Sequence, residues 1–548
     1  MQRLASLVLL LLPGVLAAAL HYGLKGRRKG LRGLLTYASY TLLISGALCG
    51  FKLLRGAAAA GFWSWFSAPL SFTFYFAAAC AAAVLLPLLF VLVTEKRLAI
   101  KLSGGAPTAD TAAAPWSVRK AARFLPRLLA ALAAGILLGF LLITASYLLP
   151  VDRIQQNVRK SAETVEREGS YPFLYQNWRS TRLDNFTDSI MLLLAAYPGD
   201  GNFVQNAMLS TYTRFADHDP AQGLVKWATG ATDGMQTHSY ARYWHGYLVW
   251  LKPLLLVFDY GHIRILNAVL QCLLNLLVLY AMFRRGRKRL MLPYLLMVLF
   301  LTPTALFQSF QFSWIFYVTA AAVLLLVLRF EKLAAAGGLW RVFLFTGMAT
   351  SYVDFLTYPL FTLGVPLALC IALRGRESLK TSLADVIGLS LTWGIGYVGM
   401  WAGKWLLCGL LTGSDVLMTV QGNILARMSN ATLEETFGWV DVVKRNIEAY
   451  NHWIYLGPFL LCTAGYALFF GREHITLSGG ALSVSRQWAG GALLPLALAA
   501  LIPFVWYFVA GNHTYIHYWY AHRTLAVTAF AIPAAFAWRA PLHARPGR

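Results

Sequence analysis

The chain has 548 residues, of which 58% are hydrophobic and only 13% charged, with a mean hydropathy of +0.57. Soluble domains carry about 45–50% apolar and about 25% charged residues, so a soluble globular protein is excluded and a polytopic membrane protein remains. The formal charge of +24 does not point to nucleic acid, because the Lys and Arg side chains cluster in short connections between apolar runs, where membrane topology accounts for them.

Met1 to Leu20 resembles a signal peptide, but its basic cluster, Lys25, Arg27, Arg28, Lys29 and Arg32, follows the apolar run, which predicts an uncleaved first span. Apolar runs near 3–22, 34–54, 68–94, 127–149, 258–282, 288–305, 312–329, 339–353, 356–373, 383–411, 453–470, 488–510 and 523–538 predict an all-α fold with about thirteen transmembrane helices. They divide into a three-span region, 1–126, and a membrane domain, 127–548, interrupted by polar segments at 151–257 and 412–452. The connections Lys25 to Arg32, Lys96 to Arg127, Arg284 to Arg289, Arg329 to Lys332, Arg374 to Lys380, Arg472 to Arg486 and Arg539 to Arg548 are basic and share one phase, which places them in the cytoplasm. The two polar segments then face outward, together with eight of eleven histidines and seventeen of twenty-three acidic residues. Gly246 to Val257, broken by Lys252 and Pro253, is too short to cross and reads as an interfacial or re-entrant helix.

The outward segments carry the candidate chemistry. Asp152 to Glu168 reads as an amphipathic surface helix, with Ile154, Val158 and Val165 on one side. Asp184 and Asp188 are four apart and share a helical face just before the apolar run Ile190 to Ala196. Two carboxylates at the edge of low dielectric differ in proton affinity, which suits one to act as a general base, while a helix cap is the plainer role. Between His238 and Tyr247 stand Tyr240, Arg242, Tyr243, Trp244 and His245. Aromatic residues belong at a membrane interface regardless of function, but a guanidinium among them is suited to hold a lipid phosphate. Lys252 and Arg264 either serve the same head group or snorkel. Asp354 lies between two apolar runs, where a carboxylate is costly and is either functional or a helix cap. The last outward loop repeats the theme with His513, His517, Trp519 and Arg523; its two histidines have metal-ligand spacing but no Glu or Cys partner, so no metal is implied. All six cysteines fall in apolar runs, and Asn185, Asn430 and Asn512 begin glycosylation-type triplets that chance readily supplies.

A bundle whose first long outer loop holds carboxylates, entered through a surface helix and left through an aromatic, Arg and His segment, resembles the GT-C superfamily of integral-membrane glycosyltransferases, over about Leu128 to Arg539. The resemblance implies transfer of a sugar from a polyprenyl-phosphate donor at the outer face of the plasma membrane to a glycan, lipid or protein acceptor, with no cofactor required. It makes Asp184 or Asp188 the base with Asp152 in reserve, gives the donor phosphate to Arg242, His245, Arg523 and Lys252, and lines the sugar pocket with Asp354, Tyr243, Trp244, His513, His517 and Trp519. Two other classes share the composition. A transporter or flippase would place charges near midspan, and a lipid-linked polysaccharide polymerase or ligase would not need the carboxylates.

Overall fold

The computed structural model describes residues 99–103, 118–199, 202–374, 379–432, 434–478 and 481–538. The expected spans near 3–22, 34–54 and 68–94, and the uncleaved N-terminal run, lie outside these residues. The described chain is mostly helical. Six of its helical segments are long and apolar enough to cross a bilayer: Phe124–Ser146, Tyr260–Arg284, Phe310–Ala335, Leu379–Thr412, Trp453–Glu473 and Arg486–Val509. The protein is therefore a multi-pass membrane protein. The remaining apolar runs form shorter pieces: 288–305 breaks at Thr302, whose φ is +53°, and 356–373 opens with irregular chain before Phe361–Arg374.

Two compact units divide the fold. In one, Trp453–Phe469 is helical, and a three-stranded sheet pairs Ala99–Ser103 parallel to Ala481–Ser485, which runs antiparallel to Ile475–Ser478. The basic connections around 96–127 and 472–486 thus hold strands, which an all-α reading does not anticipate.

The other unit covers the described residues of 105–449 and 487–538. Helix α1 (Val118–Ser146) leads through Pro150 into α2 (Val151–Glu168), which ends at Gly169 with φ +76°. Ile154, Val158, Ala162 and Val165 repeat at helical spacing and are buried against protein. The apolar stripe of the expected surface helix is therefore covered by its own chain rather than by lipid, packing on α3 (Asn185–Ala196) and on Pro220–Ala228. Twelve residues make α3 about 18 Å long, too short to cross a bilayer, yet nearly every side chain in it is buried. It is the core of segment 151–257. A two-stranded antiparallel ribbon, Thr211–Phe215 with Met235–Ser239, decorates that segment, and α4 (Leu248–Leu255) returns the chain to the long helices α5 (Tyr260–Arg284) and α6 (Phe310–Ala335).

One polar network ties the segment to these spans. The Asp188 carboxylate on α3 accepts from the Tyr260 hydroxyl at 2.6 Å and from the backbone N–H groups of Phe310 and Gln311 at 2.9 and 3.0 Å. It thereby satisfies orphan donors at the start of α6 and places negative charge at a helix N-terminus. Arg264, one turn into α5, donates to both oxygens of Glu168 at 2.8 and 2.9 Å, to Asn185 Oδ1 at 2.8 Å and to the Tyr260 oxygen at 2.7 Å. Helices α2, α3, α5 and α6 meet at this knot.

Farther along, α7 (Leu339–Val353) is followed by α8 (Phe361–Arg374) and lies tightly against α9 (Leu379–Thr412), because Gly347 faces the Trp393 carbonyl and Gly396 faces the Leu344 carbonyl. A Cβ at either glycine would collide with the opposing backbone, so only small residues permit this approach.

Arg264→Ala would strand a largely buried Glu168 carboxylate and uncouple α5 from α3. Thermal unfolding in detergent is expected to show a loss of about 3 kcal/mol, the low end for breaking a buried pair since Glu168 retains some water. Glu168→Gln, which still accepts from the guanidinium, is expected to lose less.

Candidate functional site

The chain between the ribbon and α4 is held in an unusual path by burial. The Trp244 indole donates to the Met400 carbonyl at 2.7 Å, and His245 adopts φ +54° with one ring nitrogen 3.0 Å from the Tyr247 hydroxyl and the other 2.9 Å from the Tyr240 carbonyl. Burial pushes the His245 imidazole down to about 3, so it is neutral and acts as a brace. The same bracing turns Arg242 outward. Its guanidinium lies over the rings of Tyr240 and Tyr243, at 4.7 and 5.2 Å, and donates to Asn423 Oδ1 at 3.2 Å.

Asn423 belongs to α10 (Val416–Met428), and one turn later the same helix presents Arg427, whose Nη1 donates to His517 Nε2 at 3.0 Å. Arg242, Asn423 and Arg427 line a cavity of about 170 Å³ with Tyr243, His513 and the indoles of Trp401, Trp405 and Trp506. Among the described residues neither guanidinium forms a salt bridge, so an aromatic chamber carries two positive charges without a carboxylate counter-charge. Arg242 also borders a second cavity of about 270 Å³, of mixed character, where Ser239, Tyr240, Ser414 and the exposed Asp415 stand among Leu209, Ala241 and Val416. One guanidinium thus serves both chambers.

A third cavity, of about 810 Å³ and mostly apolar, runs between α4, α5, α6 and α7. Its walls extend along α6 from Phe310 to Leu333, a rise of about 35 Å that matches the hydrocarbon thickness of a bilayer.

Of the residues expected at a site, Arg242, Tyr243 and His513 line the aromatic cavity and His517 touches its Arg427. Asp354 lies two residues before Leu356, another wall residue, whose carbonyl meets His513 Nε2 and whose φ is +73°. Its carboxylate accepts from the Thr357 N–H and hydroxyl, and burial pushes the carboxyl up to about 7.

The other candidates serve the fold. Asp184 and Asp188, the expected bases, line neither of the cavities that Arg242 borders. Asp184 caps α3 by accepting from Thr187 N–H at 2.9 Å and takes the Trp519 indole N–H at 3.2 Å. Asp188 is consumed by the knot, and burial pushes its carboxyl up to about 6. Asp152 is exposed in the first turn of α2. Arg523 is fully buried and donates to the Leu301, Trp519 and Ser180 carbonyls at 3.1, 2.7 and 3.0 Å, which binds three chain segments together. Lys252 sits buried with its ammonium 3.7 Å from the centre of the Tyr147 ring, and burial pushes it down to about 8. Trp244 is sealed in the core. Conversely, Arg427, Asn423 and Asp415 were not among the sequence candidates. Arg427 was visible as a lone cation in an apolar run of the second outward segment. Asn423 and Asp415 carry no local signal.

No protein-family model, curated protein or solved structure matches this chain. Among the described residues no group of three His, Cys, Asp or Glu side chains is placed to hold a metal ion.

Because the folded-state Asp354 carboxyl binds its proton more tightly than the unfolded one, stability from this group is greatest below about pH 4 and is lost as pH rises toward about 7. Asp354→Asn keeps an acceptor for the Thr357 N–H and removes the titration. Thermal midpoints of the wild type are expected to fall between pH 4 and 7 relative to those of the variant, by at most on the order of 4 kcal/mol.

Proposed function

We propose that this protein is a membrane glycosyltransferase that moves a sugar from a polyprenyl-phosphate donor to an extracytoplasmic acceptor. In the full proposal, about thirteen spans cross the plasma membrane, the basic connections and the C-terminus lie in the cytoplasm, and segments 151–257 and 412–452 build the site on the opposite side. The observation that carries the reading is the aromatic cavity with two guanidiniums and no carboxylate counter-charge, Arg242 and Arg427 flanking Asn423. A buried or half-buried cation without a counter-ion favours an anionic guest, and Arg presents a planar fork to phosphate oxygens. The surrounding indoles suit the sugar's apolar faces, and the 810 Å³ apolar cavity is of a length that an isoprenoid chain would occupy.

The reaction follows from this layout. The acceptor hydroxyl enters through the 270 Å³ cavity, a carboxylate removes its proton as the oxygen attacks the anomeric carbon, and the glycosidic bond to phosphate breaks. Negative charge gathers on the departing lipid phosphate, where Arg242 and Arg427 stabilise it more in the transition state than in the ground state. Asp415 is the carboxylate we assign as base, because it is exposed and lines the cavity bordered by Arg242.

In proteoliposomes supplied with lipid-linked sugar, Arg242→Ala and Arg427→Ala are each expected to lower transfer about 10²-fold, and Asp415→Asn by about 10²- to 10⁴-fold. Mass spectrometry should show the lipid-linked sugar accumulating in cells that carry these variants. Full transfer by the double arginine variant, or flipping of the intact donor without transfer, would overturn the reading.

A further inference from the structure

A polar cavity of about 440 Å³ lies between α11 (Trp439–Ile447) and the chain at 515–518. Its volume is in the range of small-molecule sites. Within it the Arg445 guanidinium is clamped between two aromatic rings, 4.3 Å from the centre of Tyr515 and 4.8 Å from that of Tyr518. Phe437 stacks on Tyr515 at 4.0 Å with the planes 9° apart, which stiffens the clamp.

The charges around this clamp are unequally satisfied. Glu448 pairs with Arg179 at 2.7 Å, Glu435 accepts from the Tyr515 hydroxyl at 3.0 Å, and Asp441 accepts from the Gly438 N–H at 2.9 Å. Every carboxylate in the cavity has a donor. Arg445 and Lys444 have no acceptor among the described residues, so two cations face the cavity with their N–H groups unused. Their place in the last turn of α11 suits the helix dipole, but that explains only the sign of charge. It does not account for a guanidinium fixed over two aromatic rings with no acceptor among the described residues, an arrangement that is already ordered for a planar anion.

We propose that this cavity binds a carboxylate-bearing sugar. The two carboxylate oxygens take the Arg445 fork with Lys444 beside them, while ring hydroxyls donate to Glu435, Asp441 and Glu448 and accept from Thr436. A phosphate dianion is disfavoured by three nearby carboxylates, and the polar lining has no slot for a lipid chain. The binding claim stands on this cavity alone; the further identification of the sugar as part of the acceptor glycan rests on the transfer reading above.

Isothermal titration of the full-length protein in detergent tests it with three probes: a glucuronate trisaccharide, its neutral glucose counterpart and inorganic phosphate. The glucuronate trisaccharide is expected to bind at least about tenfold more tightly than either of the others, matching the strength of a charge-assisted pair. Arg445→Gln is expected to abolish that preference, and Lys444→Gln, an exposed position, to reduce it severalfold without disturbing the aromatic clamp. Raising salt should weaken the acidic probe alone. Equal binding of acidic and neutral trisaccharides, or tighter binding of phosphate, overturns the proposal, as does an unchanged preference in both variants. Retained acidic preference in Arg242→Ala, in an enzyme that has lost transfer, separates this site from the reaction; loss of transfer activity in the wild type would instead count against the function and leave the binding result standing.

Discussion

A backbone N–H at the start of a membrane-embedded helix has no water to turn to, and its satisfaction by protein groups is the constraint from which much of this fold follows. Asp188 meets it for Phe310 and Gln311 at the head of α6. A carboxylate buried there needs donors on its other lone pairs, which Tyr260 supplies, and Tyr260 in turn accepts from Arg264, whose remaining charge is taken by Glu168. Each group in the chain answers its neighbour, and the apolar helix α3 is thereby fixed against the spans. A loop segment becomes a rigid platform.

The same logic separates cations that build from cations that bind. Arg523, Lys404 and Lys252 are all buried, and each is answered: Arg523 by three backbone carbonyls, Lys404 by the Ala207 and Met208 carbonyls, Lys252 by the Tyr147 ring. Among the described residues the contacts of Arg242 and Arg427 are with the neutral groups of Asn423, Tyr240, Tyr243 and His517, and both arginines border a cavity. Burial alone therefore says little about role. What distinguishes the binding candidates is charge left uncompensated beside empty space.

That distinction also explains how far the sequence could be read. Membrane character and the long helices were legible because hydropathy and helix length are local properties, and α2 was legible from the spacing of Ile154, Val158 and Val165. The aromatic and cationic runs at 238–247 and 512–523 drew attention to Arg242, Tyr243 and His513, which line one cavity. The plainer reading of a helix cap describes Asp184 at the start of α3, whereas the roles of Asp188 and Arg523 were not legible, since their partners include groups tens to hundreds of positions away, as with Arg523 and the Ser180 carbonyl. An unpaired arginine and a saturated one are identical in sequence. Arg427 and Asn423 went unnoticed because α10 reads as an ordinary short helix, and the strands near 99–103 and 475–485 because short basic loops give no period-2 pattern long enough to detect.

In the proposed reaction Arg242 occupies the position where two incompatible solvents have to be reconciled. A substrate with an isoprenoid chain cannot leave the bilayer, and a polar acceptor cannot enter it, so any group that organises both must stand at a boundary between an aromatic chamber and a polar one. A lysine would be a poor choice there, because its compact ammonium is strongly hydrated and holds one direction weakly, whereas a guanidinium tolerates partial desolvation and keeps its plane when stacked on Tyr240 and Tyr243. Fixing that plane against rings rather than against a carboxylate leaves the charge available. In the proposed reaction this is what lets one side chain orient the donor phosphate from the aromatic side and stabilise it as the bond breaks, while the exposed Asp415 lines the adjoining cavity.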